Sequence, residues 1–392
     1  MVSEVFCMAG HTVVVLGGGI GGVVAASVLR RELLPEDRVV LVDRSAEHTF
    51  APSLLWVLTG ARTGAQVCRG LDGLGRRGIE VLRGAVTEID PERRTVVAGG
   101  ERLAADALVV ALGADLDPER VPGLATAGNL FYTLEGAERL RDQVATVERG
   151  QVAVVIAAVP FKCPAAPYEA AMLIDHVLRR RRVRDRVTVS VYAAEPGPMG
   201  VAGPEVSRGV VALLDQRGID YHPGVQLASV DAPGATLTFA DGSLARYDIL
   251  AAVAPHQAPA VVRDSPLAGP AGWIPVDAAT CETRFPGVFA IGDVTSIPLT
   301  MGKPLPKAGV FARAQAEVVA HTIAARLRGR GQERRFDGEG ACFVEIGGGA
   351  AGFARGNFYA EPAPRVRLYR PGRHWHAAKL AFERDWWKTW FR

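Results

Sequence analysis

Short hydrophobic runs typical of buried strands alternate with longer amphipathic runs typical of helices along most of the chain. Residues 11–16 have the pattern of a β-branched strand, a glycine-rich turn follows, and a helical pattern covers 23–34. A second strand pattern over 38–42 ends in Asp43. Strand, turn, helix, strand and acid in this order predict a βαβ nucleotide-binding unit.

The glycines of this turn have the spacing of a dinucleotide-binding fingerprint. We expect Gly17 to make the tight turn, Gly19 to let the backbone approach a pyrophosphate, and Gly22 to let the helix pack closely on the strand. Ile20 lies among them, where the free N–H groups and positive dipole end of the helix favour phosphate. Asp43 is placed to accept hydrogen bonds from ribose hydroxyls.

Two later segments favour FAD over NAD as the dinucleotide. One hydrophobic strand runs into a small-residue turn at Ala111 and Gly113, and another ends at Gly292 and Asp293. Both resemble segments of the pyridine nucleotide-disulfide oxidoreductase superfamily, in which the Gly-Asp carboxylate binds the ribityl chain of FAD. The resemblance implies that Asp293 has this role. No cysteine is a convincing candidate for a covalent link to FAD, so we expect FAD to be bound non-covalently. We expect no metal site.

The segment after Asp293 leads into a helical pattern that ends at Leu327. Its start, near Gly309, is expected to point at the flavin pyrimidine ring, where the helix dipole would stabilise negative charge on reduced flavin. Lys307 is expected to add to that field. A solvent-exposed lysine beside a turn is the alternative interpretation.

The middle of the chain lacks the second glycine fingerprint that NAD(P)H-dependent members of this superfamily carry. A plain strand pattern over 151–157 is followed by residues 158–169, which contain prolines and Cys163 but no glycine. Side chains and prolines obstruct the close backbone approach that a pyrophosphate needs, which disfavours a nicotinamide donor.

This cysteine segment, together with residues 48–53 and 306–312, resembles sulfide:quinone oxidoreductase and the flavoprotein subunit of flavocytochrome c sulfide dehydrogenase. The resemblance covers almost the whole chain and implies sulfide oxidation at a cysteine pair, here Cys163 and Cys342. Sulfide would open a disulfide or polysulfide bridge, with the persulfide on Cys163 and the flavin-facing thiolate on Cys342. Two buried structural cysteines are the alternative.

Glu169 lies near the start of a predicted helix that runs through Leu178. It is a candidate for handling protons of sulfide or persulfide. A carboxylate that merely favours the first turn of the helix is the alternative.

The last residues of the chain combine basic and aromatic side chains, and Phe382, Trp386 and Trp390 fall on one helix face. Such a face suits the headgroup zone of an anionic membrane, from which a quinone could enter. A C-terminal helix packed on the core or on a partner is the alternative. Residues 1–8 do not resemble a signal peptide, so we expect a peripheral protein on the cytoplasmic side of the cell membrane.

The chain of 392 residues is too long for one compact core. We therefore predict an α/β protein with two Rossmann-like domains. An FAD-binding domain comprises 10–115 and 251–330, a middle domain without an NAD fingerprint comprises 116–250, and 331–392 form a redox and membrane-contact segment.

A net charge of +3 gives no support for nucleic-acid binding. We also expect the protein to form a homo-oligomer. Three other functions stay open: an NADH:quinone dehydrogenase, a soluble sulfide dehydrogenase subunit with a cytochrome partner, and a non-enzymatic flavin sensor or sulfur carrier.

Overall fold

Five parallel strands from distant parts of the chain form the N-terminal sheet of the computed structural model, which describes residues 10–392. Their order across the sheet is Val288–Ala290, Ala107–Val110, Thr12–Leu16, Arg38–Asp43 and Glu80–Arg83. The central strands are almost entirely aliphatic because both faces of the sheet are covered. The helices Ile20–Glu32 and Gly309–Leu327 pack along each other on one of these faces.

A second parallel sheet, the middle sheet, is built from the centre of the chain. Its strands lie in the order Asp220–Pro223, Val187–Ala193, Gly150–Ile156 and Ile249–Val253. The helix Ala166–Arg180 begins well after the strand Gly150–Ile156, because the cysteine-containing segment intervenes. The predicted α/β fold with two Rossmann-like sheets is therefore confirmed.

The two chain crossings between these sheets pair with each other. Asp115–Leu116 and His256–Gln257 form a short antiparallel ribbon. The predicted boundary after residue 250 falls inside the strand Ile249–Val253, which pairs in parallel with Gly150–Ile156. This boundary is therefore wrong by a few residues, and the middle sheet ends at Val253.

The remaining strands form smaller units beside the two parallel sheets, and all of these units are antiparallel except Ile274–Pro275 with Thr295–Ser296, which pair in parallel. The C-terminal sheet consists of Glu339–Gly347, Ala350–Asn357 and Arg365–Gly372. The smaller strand groups are Val86–Asp90 with Thr95–Ala98 and Glu101–Ala104, Leu227–Asp231 with Thr236–Phe239 and Leu244–Arg246, Glu47–Thr49 with Cys68–Gly70, and Ile274–Pro275 with Thr295–Ser296. The other helices are Leu54–Leu58, Gly64–Val67, Leu124–Ala127, Leu134–Thr146, Pro204–Asp215, Ala260–Arg263 and Arg373–Phe391.

The C-terminal helix, Arg373–Phe391, packs its aromatic face against the N-terminal sheet and its helices. Trp386 is 1% exposed and stacks on Phe50 at 5.2 Å between ring centroids, and Trp390 is 2% exposed. The predicted membrane contact of this face is wrong, because its tryptophans are already buried in the protein. The alternative, a helix packed on the core, describes it correctly.

Polar contacts hold the same helix in place. The Arg62 guanidinium and the Ser53 hydroxyl donate to the Glu383 carboxylate at 2.7 and 2.6 Å. Arg77 donates to the carbonyls of Thr389 and Trp390, which satisfies acceptors that a helix end leaves free.

No helix within residues 10–392 has the length and hydropathy needed to cross a bilayer.

We predict that Trp386→Ala lowers the free energy of unfolding by about 3–5 kcal/mol, because it leaves a large cavity between the C-terminal helix and the core. Chemical denaturation followed by circular dichroism measures this change. Lys388→Ala, at an exposed position of the same helix, is the matched control. Equal stability of the two variants would show that the tryptophan does not anchor the helix.

Candidate active site

The glycine turn of the N-terminal sheet is shaped for close backbone approach. Gly17 has φ +106°, and a Cβ there would meet the Ala111 carbonyl oxygen at 2.4 Å. A Cβ on Gly22 would meet the Gly17 oxygen at 1.7 Å, whereas a Cβ on Gly19 would meet nothing within 4 Å. Gly17 and Gly22 are thus required by packing, and the space at Gly19 lies at the N-cap of the helix that begins at Ile20. No side chain caps that helix start, so its N–H groups are available to a phosphate.

Asp43 lies at the end of the second strand and is oriented by backbone donors. The Gly18 N–H donates to Oδ2 and the Ser45 N–H donates to Oδ1. His48 contacts the same turn through Nδ1, 2.9 Å from the Gly18 oxygen, and burial lowers the pKa of His48 to about 4. The neutral imidazole of His48 therefore holds the turn through this contact, while the Asp43 carboxylate keeps lone pairs for ribose hydroxyls.

Asp293 presents a polar atom that the protein itself does not satisfy. Its Oδ1 is buried and has no hydrogen-bond partner among the described residues. Burial raises the pKa of Asp293, while Lys162 and Lys307 lower it. An unsatisfied buried carboxylate oxygen is costly, and a ribityl hydroxyl would satisfy it. Gly292 (φ +71°) and Gly113 (φ +69°) hold the turns on either side in conformations that glycine favours.

Lys307 is 8% exposed, which excludes the solvent-exposed alternative. Its ammonium donates to the Asp293 and Thr295 carbonyls at 2.6 and 3.1 Å and lies 3.4 Å from the centroid of the Trp273 ring. Burial lowers the pKa of Lys307 to about 8, against the Asp293 carboxylate. A buried positive charge here suits a cofactor that becomes more negative on reduction.

The helix Gly309–Leu327 starts beside the first nucleotide-binding helix. A Cβ on Gly309 would approach Ile20 Cδ1 to 2.6 Å, so the two helix starts are in contact. Neither start has a side-chain cap. The site therefore fits FAD. The two free helix N-termini suit its anionic parts, and Asp43 and the unsatisfied Asp293 oxygen suit its hydroxyl groups.

Cys163 has a left-handed backbone conformation, with φ +51°. Such a conformation is uncommon for a residue other than glycine and costs of the order of 1 kcal/mol. Three hydrogen bonds hold it: the Cys163 N–H donates to the Lys307 carbonyl at 2.7 Å, and its own carbonyl accepts from Tyr132 OH and the Ala166 N–H. The segment that replaces a glycine turn is thus attached directly to the segment that carries Lys307.

Cys163 and Cys342 both line one cavity of about 640 Å³. Cys342 lies in the strand Glu339–Gly347, and all four cysteines within residues 10–392 are free thiols. Most of the cavity wall is apolar, from side chains such as Phe161, Met199 and Phe358, while Glu195, Lys303 and Lys307 supply charge. The structure therefore brings together two cysteines that are far apart in sequence.

Both thiols are held protonated by their surroundings. Burial raises the pKa of Cys163 to about 12, with a further increase from Glu169 and a decrease from Lys379. Burial also raises the pKa of Cys342, and a charge on Cys163 or Glu169 raises it further. Two neighbouring thiolates in this buried place would therefore be costly.

Glu169 belongs to a buried charge cluster, which we define as Glu169, Lys379, Glu345 and His376. Glu169 is 2% exposed, accepts the Glu345 N–H at 2.8 Å and lies 3.3 Å from Lys379 Nζ. Burial raises the pKa of Glu169, while the Lys379 ammonium lowers it. Glu169 lies in the first turn of the helix Ala166–Arg180, as the alternative interpretation expects, and makes these tertiary contacts in addition.

Sequence reasoning missed the other members of the charge cluster. The Lys379 ammonium also lies 4.0 Å from the Glu345 carboxylate, which is 3.0 Å from His376 Nδ1. Glu345 lies three residues after Cys342 on the same strand, and Lys379 and His376 share the C-terminal helix. Their polar positions in otherwise aromatic segments were the only signal, because the contacts join residues far apart in the chain.

The middle sheet has an acid at the position where a nucleotide-binding domain carries its ribose acid. Glu195 follows the second strand of that sheet, Val187–Ala193, as Asp43 ends the second strand of the N-terminal sheet. Its carboxylate accepts a hydrogen bond from Tyr168 OH. Burial raises the pKa of Glu195 to about 7. Tyr168 thus engages the carboxylate from within the protein, and no glycine turn accompanies it.

Two Rossmann-like sheets, of which one carries a complete dinucleotide fingerprint, are typical of an oxidoreductase that binds a dinucleotide cofactor. The family model for the pyridine nucleotide-disulphide oxidoreductases matches residues 11–316, and the chain belongs to this family. It is therefore an oxidoreductase whose cofactor is FAD.

Relatives support the narrower resemblance as well. The mitochondrial sulfide:quinone oxidoreductase of Mus musculus is 26% identical over 90% of this chain and 79% of its own length. The crystal structure of the sulfide:quinone oxidoreductase from Aquifex aeolicus, 24% identical, shares the fold with a TM-score of 0.87 over 97% of this chain and 91% of its own. The type II NADH:quinone oxidoreductase Ndh of Mycobacterium tuberculosis is 27% identical over 83% of this chain and 74% of its own. The resemblance to sulfide:quinone oxidoreductases is confirmed.

We predict that Asp293→Ala weakens FAD binding by about tenfold or more, because the ribityl hydroxyls lose a buried charged acceptor. The ratio of flavin to protein absorbance after gel filtration, and titration of the apoprotein with FAD, measure the effect. Asp264→Ala, at an exposed position of the same chain region, is the control. Undiminished FAD content in Asp293→Ala would contradict the assignment.

Proposed function

We propose that this chain oxidises sulfide at Cys163 and Cys342 and passes two electrons to a quinone. The observation that supports this most directly is the shared cavity, which both cysteines line together with Lys307. The Cys163 N–H bond to the Lys307 carbonyl ties the cysteine segment to the part of the chain that fits the flavin.

The chemistry balances as follows. The free thiols of Cys163 and Cys342 first join in a disulfide, which releases two protons and two electrons, and the quinone is the final acceptor of these electrons. Sulfide then attacks this bridge, which breaks the S–S bond and leaves a persulfide on Cys163 and a thiolate on Cys342. FAD, when bound, supplies a two-electron acceptor between this pair and the quinone. Over a full cycle one HS⁻, one quinone and one proton give one sulfane sulfur and one quinol.

In this proposal the FAD site comprises the glycine turn, the acid after the second strand and the segments that face them: Gly17, Gly19, Ile20, Gly22, Asp43, Ala111, Gly113, Gly292, Asp293, Lys307 and Gly309. The cofactor is held without a covalent bond, through helix starts, a ribose acid and the Asp293 carboxylate. Lys307 and the start of the helix at Gly309 favour the reduced cofactor because they supply positive charge in a buried place.

NADH:quinone reduction is the second candidate, because a relative with that name matches most of the chain. Two observations weigh against it. The segment after the strand Gly150–Ile156 has no glycine to admit a pyrophosphate, and Tyr168 already engages Glu195 where a ribose would need the carboxylate. Sulfide is therefore the electron donor we propose.

We propose a different membrane surface from the one predicted by the helix face. Half-buried aromatics gather on the outer side of the C-terminal sheet, where Phe353 stacks on Trp375 at 4.3 Å and Tyr369 lies beside them. Arg367 lies over the Tyr369 ring at 4.9 Å, and Arg370 is exposed. Aromatic rings with flanking arginines suit an anionic lipid surface. The homo-oligomer and the cytoplasmic location stay predictions.

We predict that Cys163→Ala and Cys342→Ala each lower sulfide-dependent reduction of a soluble quinone analogue on the order of 100-fold or more, since neither can form the bridge. Cys68→Ala, which changes a cysteine that does not line the cavity, is the control. Full activity in either cavity variant would refute the pair. Rapid flavin bleaching by NADH and none by sulfide would refute the donor.

We also predict that Trp375→Ala reduces binding to vesicles of mixed anionic and neutral phospholipid by about tenfold, as measured by sedimentation at physiological salt. Leu244→Ala, which removes a side chain that is 67% exposed on the middle part of the chain, is the control. Equal binding of the two variants would exclude this surface.

A further inference from the structure

The charge cluster reaches from the cysteine pair to the protein surface. At its inner end, Glu169 lies in the first turn of the helix that follows Cys163, and it accepts the N–H of Glu345, three residues after Cys342 on the same strand. At its outer end, the His376 side chain is 27% exposed, while that of Glu345 is 2% exposed. A set of neighbouring proton-carrying side chains therefore leads from the elements that carry the two cysteines to water.

The spacing of the groups suits proton transfer between neighbours. Lys379 Nζ lies 3.3 Å from Glu169 and 4.0 Å from Glu345, so a small movement of the flexible lysine brings it to hydrogen-bond distance of either. His376 Nδ1 is 3.0 Å from both oxygens of Glu345. The indole of Trp56, 3% exposed, covers the ammonium at 5.0 Å.

The charges of the cluster are unequal. Two buried carboxylates face one buried ammonium, which leaves an excess negative charge in a poorly solvated place. The arrangement favours an additional proton, and the imidazole of His376, at the exposed end of the cluster, has ring nitrogens that can both accept and donate one. Burial would lower the pKa of Lys379, but Glu169 and Glu345 outweigh it and raise that pKa, so the ammonium remains charged.

We propose that Glu345 and His376 are the outer half of a proton path that carries the proton released at the cysteine pair to solvent. This inference rests on the proposed function. When the Cys163 persulfide and the Cys342 thiolate rejoin as a trisulfide bridge, one S–S bond forms, two electrons pass on to the quinone, and the persulfide proton is left over. Glu169 takes that proton, Lys379 relays one to Glu345, and His376 releases it to water.

His376 acts through Glu345 and does not touch the thiols, so it is a positioning and relay residue. A purely structural role for the Glu345–His376 pair would be to hold the C-terminal helix on the sheet. That role predicts a loss of stability that small molecules do not repair. A relay predicts a defect that an added proton carrier repairs.

The test uses the FAD-loaded full chain with sulfide and a soluble quinone analogue. His376→Ala is expected to lower turnover by about tenfold and leave the KM for sulfide unchanged. Free imidazole is expected to restore most of the lost turnover in a saturable way, because the half-exposed site becomes a gap open to solvent. His374→Ala, which changes an exposed histidine two positions earlier on the same helix, is expected to keep wild-type turnover with no response to imidazole.

Glu345→Gln provides the second variant. Its amide keeps the size of the side chain but cannot relay the proton, so turnover is expected to fall as in His376→Ala, without rescue by imidazole. Wild-type turnover in either variant, or a loss in folded, FAD-loaded His376→Ala that imidazole does not reverse, overturns the path. Wild-type protein that fails to reduce quinone with sulfide overturns the proposed function instead, so the two failures are distinguishable.

Discussion

The contact between Glu169 and Lys379 is the constraint on which the arrangement of the cysteine site depends. Glu169 comes from the helix that follows the middle sheet and Lys379 from the C-terminal helix, and both are almost fully buried. Removal of one partner would leave an uncompensated buried charge, which costs about 3–5 kcal/mol. The Glu345 N–H, which donates to the same carboxylate, ties the strand of Cys342 to this pair. The ion pair therefore fixes the position of Cys342 relative to the helix next to Cys163.

The nucleotide half of the site could be predicted from sequence because its determinants are local. The turn from Gly17 to Gly22, the helix start and Asp43 lie in one βαβ unit. Gly17 and Gly22 each have a steric reason in the structure, and Gly19 leaves open space at the helix start. The remote Asp293 was named through the resemblance of its Gly-Asp segment to the superfamily, because nothing local connects it with the first βαβ unit. The geometry of this unit depends on residues that are close together in the chain, so it can be predicted from their order.

The cysteine half could be predicted only as a list of candidates. Cys163 stood out because it interrupts a position where a glycine turn was expected, but nothing in the sequence predicted the Tyr132 bond to its carbonyl or the left-handed backbone. Lys379 and Glu345 looked like ordinary polar positions. Their roles arise from long-range contacts between three elements, and such contacts depend on the packing of the whole chain.

The C-terminal helix shows why an amphipathic pattern alone does not identify the environment of a helix. A face of Phe382, Trp386 and Trp390 is equally suited to lipid and to a protein core, because both offer apolar surroundings. The polar residues decide between them: Glu383 lies beside this face and finds Arg62 and Ser53, partners that only the protein can supply. A buried carboxylate with two fixed donors requires a folded neighbour, so Glu383, rather than the tryptophans, distinguishes core packing from membrane contact.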